Sequence, residues 1–181
     1  MAAPKALYFT TDDEANRLLA SDPFALLVGF AFDQQVTVQQ AFLGPLRLKQ
    51  RLGTLEPRAV ADADLEPLFR EKPAIHRFPG SMAERVRDLA ATVAEEYGGD
   101  ASRLWAEAAD GSDLRRRISS LPGFGEMKIK SLGAVLAKQY GVAAAEELAP
   151  DHPTLGDVTS PEELDRYQSW KKAYKKASKG A

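Results

Sequence analysis

Leu121-Pro122-Gly123-Phe124-Gly125 stands between two helical patterns. A helix, a tight Pro-Gly-x-Gly turn and a second helix make an αα-hairpin. Glycines there permit positive φ and leave no side chain between the backbone and a ligand. The second helix points its free N–H groups, at the positive end of its dipole, out of the turn, which is a phosphate-binding arrangement. Lys128 and Lys130, one turn later, can add charge to it. The same glycines also serve a plain interhelix turn, and for a bare Gly-x-Gly that is the commoner use. The hydrophobic residues at 121 and 124 and the two amphipathic helices favour phosphate. A second basic feature is the run Lys171, Lys172, Lys175, Lys176 and Lys179, with Trp170 and Tyr174 interleaved. It either lies along phosphates or forms a solvated helix end. His76 and His152 are too few and too far apart to suggest a metal site.

The elements that must position these residues are helices punctuated by Pro and Gly. Thr11-Asp-Asp-Glu reads as a cap with acids in the first turn, leading into Ala15 to Ala20. Asp22-Pro23 starts a helix that carries Phe24, Leu26, Leu27, Phe30 and Ala31, apolar nearly all round and so central. Val36 to Leu52 is amphipathic, and Gly44-Pro45 is expected to kink or split it. Ala61 to Glu71 reads as one helix, and Ser81-Met-Ala-Glu84 has the spacing of a capping box before Val86, Leu89, Ala90, Val93 and Ala94. Ser112 is expected to cap a helix through Leu121, Gly125 to Tyr140 forms the next, ended by Gly141, and Ser160-Pro161-Glu-Glu163 opens a lysine-rich last helix through about residue 176. Leu7-Tyr8-Phe9 is the only strand candidate. The expected class is all-α.

Leu121-Pro-Gly-Phe-Gly125 followed by an apolar helix resembles the hairpin of the helix-hairpin-helix–Gly/Pro–Asp superfamily of base-excision DNA glycosylases. Phe30-Ala-Phe-Asp-Gln34-Gln35-Val36-Thr-Val38 resembles that superfamily's apolar-x-Gln-Gln-x-Thr/Ser-Val segment, and Arg77 to Leu89 resembles a later helix start. The matches span about Pro23 to Val158. The resemblance implies one domain over 1–181: a helical barrel core over 23–120, the helix-hairpin-helix over 112–140, and a second lobe from 1–22 and 141–181 ending in the basic helix.

It also implies roles. The substrate is duplex DNA with a damaged or mismatched base, rotated out of the stack at a cost of roughly a few kcal/mol. A Gln of the segment inserts into the duplex, matched by Gln35 or Gln34, although Asp33 departs from the small residue usual before them. The catalytic Asp stabilises an oxocarbenium-like sugar or activates water. Asp157, in Leu155-Gly156-Asp157-Val158-Thr159, is favoured over Asp151, which lies nearer the family's distance and beside His152. An isolated Asp in either place would otherwise be a helix cap. Members that also cleave the backbone carry a Lys where this chain has Met127, so a monofunctional enzyme without cofactor, acting as a monomer, is expected. A noncatalytic DNA-binding or lesion-recognition protein is the alternative. Phe32, Phe78 and Trp105 are aromatic enough to stack on a flipped base, and core packing explains each equally well.

Composition narrows the field. The 181 residues include no cysteine, which excludes disulfides, thiolate metal sites and a thiol nucleophile. The longest apolar run, Pro23 to Phe32, is about half a membrane span of roughly 20 residues. No signal-peptide pattern opens the chain, so a cytoplasmic protein is expected. The net charge of −2 argues against a nucleic-acid binder, but acids lie early (Asp12, Asp13, Glu14, Asp62, Asp64, Glu66) and lysines late. A local basic face can meet phosphates in spite of an acidic total.

Overall fold

The helix α2 (Pro23–Phe32) is apolar on every side, and the rest of the fold is laid around it. Asp22 starts it, its carboxylate accepting from the N–H groups of Phe24 and Ala25, and every residue from Phe24 to Phe32 is buried. The computed structural model describes residues 3–180. Among the described residues all regular structure is helical, so the class is all-α, as the periodicity indicates.

Against α2 pack α1 (Asp13–Ser21), α3 (Val38–Leu52) and α6 (Pro79–Glu96), while the short α4 (Pro57–Asp62) and α5 (Glu66–Arg70) lie on α6. The α2–α3 crossing is close because it is lined with glycine. A Cβ on Gly29 would stand 2.3 Å from the Phe42 ring, and one on Gly44 would stand 2.4 Å from the Phe32 ring. Phe42 in turn meets Phe9 and Phe30 edge-on, with ring centres 4.9 and 5.1 Å away.

The second half contains α7 (Arg103–Ala106), α8 (Gly111–Ser119), α9 (Glu126–Tyr140) and α10 (Pro161–Gly180), with 3-10 turns at Ala143–Leu148 and Leu155–Asp157. Both turns pack on α9. Tyr140 joins the halves: its hydroxyl, 3.1 Å from the Ala20 carbonyl, donates to the end of α1. The buried side chains make one continuous core from Leu7 to Leu164.

Several boundaries differ from the sequence expectation. The first helix is capped by Asp12 rather than Thr11. α3 runs through Pro45 unbroken, because Phe42, Leu46 and Leu48 are buried around the one hydrogen bond that proline removes. The single helix expected over 61–71 is two. Glu56 and Pro57 start α4 a turn early, and Pro67 sits in the first turn of α5 after a break at Ala63 to Leu65. Pro79 opens α6 ahead of Ser81, so the expected capping box is not formed. Asp110 caps α8 in place of Ser112, accepting from the Asp113 N–H at 2.8 Å. Leu7 to Phe9 make no strand: the Phe9 N–H donates back to the Leu7 carbonyl, and the Leu7 N–H donates to Asn16 O of α1.

Gly44→Ala is expected to cost about 1–3 kcal/mol by overpacking against Phe32. Chemical denaturation of parent and variant measures it.

Candidate nucleic-acid interface

α8 and α9 are joined by a turn at 120–125, the segment whose sequence reads as a hairpin. Leu121 and Phe124 are buried and anchor the turn, while Gly123 and Gly125 face solvent. Gly123 has φ 79° and is in contact with Arg85: a Cβ there would fall 2.7 Å from the arginine's Cδ. Glycine is therefore required at 123 by backbone and by packing alike. Gly125 is different. Its φ is −91°, no atom lies within 4 Å of where its Cβ would be, and the fold would accept a side chain.

No side chain caps α9, so the N–H groups of its first turn are open at the surface. Glu126 stands in that turn but is engaged by Arg115, whose Nη1 lies 2.8 Å from both carboxylate oxygens. That hydrogen bond, against a smaller desolvation effect, holds the Glu126 carboxyl below its ordinary value. Lys130 lies 4.0 Å from Glu126.

Lys128 is turned inward. Its ammonium donates to the Ala31 carbonyl at 3.2 Å and lies 5.7 Å from the centre of the Phe124 ring. Burial, and then the nearby Arg85 guanidinium, pull its pKa down to about 8 against the opposing pull of Asp33. Met127, at the position where the resemblance places a lysine, is 80% exposed.

The Gln34–Gln35 loop leaves the end of α2 close by. Gln35 holds φ 59°, a strained value for a residue with a side chain, and both glutamines are exposed. Arg85, from α6, donates to Gln34 Oε1 at 2.8 Å, so one side chain spans from the Gly123 turn to the glutamine loop. Arg77 donates to the Gln35 carbonyl at 3.3 Å. Beneath the loop, His76 is buried. It accepts the Phe78 N–H at Nδ1, which leaves Nε2 to donate to the Phe32 carbonyl, 3.0 Å away. Burial is the main cause holding His76 below its ordinary pKa, and Arg77 and Lys128 add to it. Gln35, His76, Arg77 and Arg47 line a hollow of about 290 Å³. Asp33, half-buried beside the loop, is raised by desolvation against the lowering effect of Lys171, Lys128 and Lys175.

Both candidate aspartates line another cavity, of about 370 Å³, together with Lys138, His152, Tyr167 and Trp170. Asp157 is fully engaged there. Its Oδ1 accepts from Lys138 at 2.7 Å, and Oδ2 accepts from the Thr154 N–H at 2.9 Å. Desolvation opposes its charge, but Lys138 and the Thr154 amide outweigh this and lower its pKa. Asp151 is exposed, with no ion-pair partner among the described residues. The wall of this cavity is held by Gln139, buried in α9, whose amide donates to the carbonyls of Leu155 and Val158 at 3.1 Å each. Tyr167 lines the cavity, and burial, with the Asp33 charge adding to it, pushes its hydroxyl up to about 12. The cavity and the hollow under Gln35 nevertheless share no lining residue.

Compared with protein-family models, with curated proteins and with solved structures, the chain matches none. Among the described residues no helix is long and apolar enough to cross a membrane, and no group of three or more His, Asp or Glu is placed to hold a metal ion. Of the aromatic candidates, Phe32 and Trp105 are buried, and Phe78 is partly exposed beneath the Arg77 guanidinium, 4.9 Å from its ring centre. Sequence reasoning named His76 only to set it aside as a metal ligand, and it missed Arg85 and Tyr167, because nothing local in the chain marks a side chain that acts across the fold.

Gly123→Ala is expected to cost about 1–3 kcal/mol from positive φ and displaced Arg85, whereas Gly125→Ala should stay within about 0.5 kcal/mol; thermal unfolding compares them. The lowered His76 pKa makes the unfolded chain take up this proton first as pH falls. The stabilisation it gives is complete above about 6.5 and is lost below that value. The fall in Tm between pH 7.5 and pH 5.5 should accordingly be smaller in His76→Gln than in the parent.

Proposed function

We propose that this chain is a monofunctional DNA glycosylase of the helix-hairpin-helix kind, which hydrolyses the N-glycosidic bond of a damaged or mismatched base flipped out of duplex DNA. The observation that carries this reading is Arg85, which fastens the turn before the uncapped α9 to the loop bearing Gln34 and Gln35. A phosphate-binding turn and a pair of exposed amides are thereby held as one patch. Gly125 fits the same reading. The fold has room for a Cβ there, and its absence leaves the α9 N–H groups accessible to a phosphate oxygen.

On this reading the hairpin grips the backbone, and Gln35 or Gln34 fills the gap left by the extruded base. Asp157, kept ionised by Lys138 and Thr154, supplies negative charge as the sugar becomes oxocarbenium-like, and Asp151 is the alternative. The C1′–N bond breaks, the base leaves with the bonding pair and is protonated, and water adds to C1′ with loss of a proton. No cofactor takes part, and the protein acts as a cytoplasmic monomer.

A noncatalytic lesion-recognition protein is the second reading. One observation favours it: both oxygens of the Asp157 carboxylate are already engaged, so little of its charge is left for a sugar cation.

Single-turnover excision on duplexes carrying uracil, hypoxanthine, alkylated purines, oxidised guanine or mismatched thymine separates the two. Either Asp157→Asn or Asp151→Asn should reduce base loss by roughly 100-fold or more, with strands cut only after alkali. Strand cleavage without alkali would instead assign a lyase step to the Lys128 amine. Absence of excision from every duplex, together with salt-sensitive binding that Gly123→Ala weakens, would establish the noncatalytic reading.

A further inference from the structure

The lysine-rich α10 is an unusual element to keep folded. Of its twenty residues only Leu164 is fully buried, and from Lys172 onward every described residue is exposed. Lys171 and Lys175, Lys172 and Lys176, and Lys175 and Lys179 are like charges one turn apart, which weaken a helix. Arg166 on the same helix is matched by Glu163, but among the described residues none of these five lysines enters an ion pair.

What the helix does have is a fixed place. Gln168 and Gln39 exchange reciprocal side-chain amide hydrogen bonds, which lay α10 against the start of α3. Between them runs an open groove of about 630 Å³, walled by Lys171, Lys172 and Lys175 on one side and by Val36 to Gln39 on the other. Val36 belongs to the loop that carries Gln34 and Gln35, and it lines the hollow beneath Gln35 as well, so groove and loop are continuous. Asp165 also lines the groove, and Asp33 lies within electrostatic reach of Lys171 and Lys175. The lysines outnumber these carboxylates, and desolvation already disfavours the charged form of Asp33.

We propose that this groove is a second DNA-backbone site, in which Lys171, Lys172 and Lys175 hold a run of phosphodiesters beside the glutamine loop. It rests on the reading of the chain as a duplex-DNA-binding protein and adds a clamp which that reading does not contain. The glutamine loop is then served by two grips, the uncapped α9, to which Arg85 ties it, and the lysine wall that Val36 adjoins. An extended polyanion suits an open groove with a row of cations better than a compact ligand does. The unmatched lysines on an otherwise acidic chain concentrate the positive charge where the strand would pass.

Each lysine that neutralises a phosphate steepens the salt dependence of binding by about 0.9 in log K against log salt. Anisotropy titrations of a fluorescent duplex over a range of NaCl concentrations compare three proteins. They are the parent, the triple variant Lys171→Gln, Lys172→Gln, Lys175→Gln, and an equal-charge control with Arg17→Gln, Arg58→Gln and Lys72→Gln at exposed positions outside the groove. Circular dichroism verifies that all three remain helical. The groove triple should be shallower than the parent by about 2 to 3 in slope, and the control by less than 1. Equal changes in the two triples, or an unchanged slope in the groove triple, would overturn the clamp while leaving the hairpin's role intact. A parent that binds no duplex would overturn both readings together.

Discussion

The C-terminal end of α2 is the fixed point on which the candidate interface depends. A helix end leaves carbonyls without intrahelical partners, and at a buried end these must be satisfied from elsewhere. Here the Ala31 carbonyl receives the Lys128 ammonium from α9, and the Phe32 carbonyl receives His76 from the segment before α6. The Phe32 carbonyl also accepts the Gln34 N–H at 2.7 Å, which turns the chain out of the helix. One unmet backbone requirement thus draws together the hairpin, the glutamine loop and α6. The Lys128 ammonium also faces the negative end of the helix dipole, which favours it there. The inward aim of Lys128 follows from this need. A lysine that sequence spacing assigns to phosphate is taken up by a backbone carbonyl, and its ammonium loses hydration in the exchange.

Because α2 is buried on all sides, its end can be held this firmly only if its neighbours come close. Gly29 and Gly44 provide that approach, and Phe32 and Phe42 fill the space that their missing side chains leave. Core and interface are consequently not separate regions: Phe32 packs on Gly44 with its side chain and receives His76 with its backbone.

The helical class, the centrality of Pro23–Phe32 and the Gly125–Gly141 limits of α9 were legible in the sequence, because they depend on periodicity and on local caps. Where two local signals competed, the reading failed. Asp110 displaced Ser112 as a cap, and Pro79 displaced Ser81 as the start of α6, since a carboxylate or a proline at the right step leaves the later cap nothing to do. The hairpin turn itself was visible, yet the difference between its two exposed glycines was not. A Cβ on Gly123 would meet Arg85, thirty-eight positions away in the chain, whereas one on Gly125 would stand in open space. Likewise the sequence singled out Asp157 by its context, but the lysine that occupies it lies in α9 and the threonine that orients it heads a 3-10 turn. Partners brought in by tertiary packing leave no mark on spacing.

The Gln139 amide gives α9 a mechanical meaning. At one end the helix carries the open N–H groups of the hairpin, and near the other it holds, through Lys138 and Gln139, the turn on which Asp157 sits. At 1.5 Å per residue, Glu126 and Lys138 are about 18 Å apart along a single rod. The helix is a ruler. Anything seated on its first turn stands at a set distance from the carboxylate, and loop motion cannot shorten that distance. The distance from the first turn of α9 to the carboxylate is written into the number of residues in one helix, so the loss or gain of a single turn would reset it.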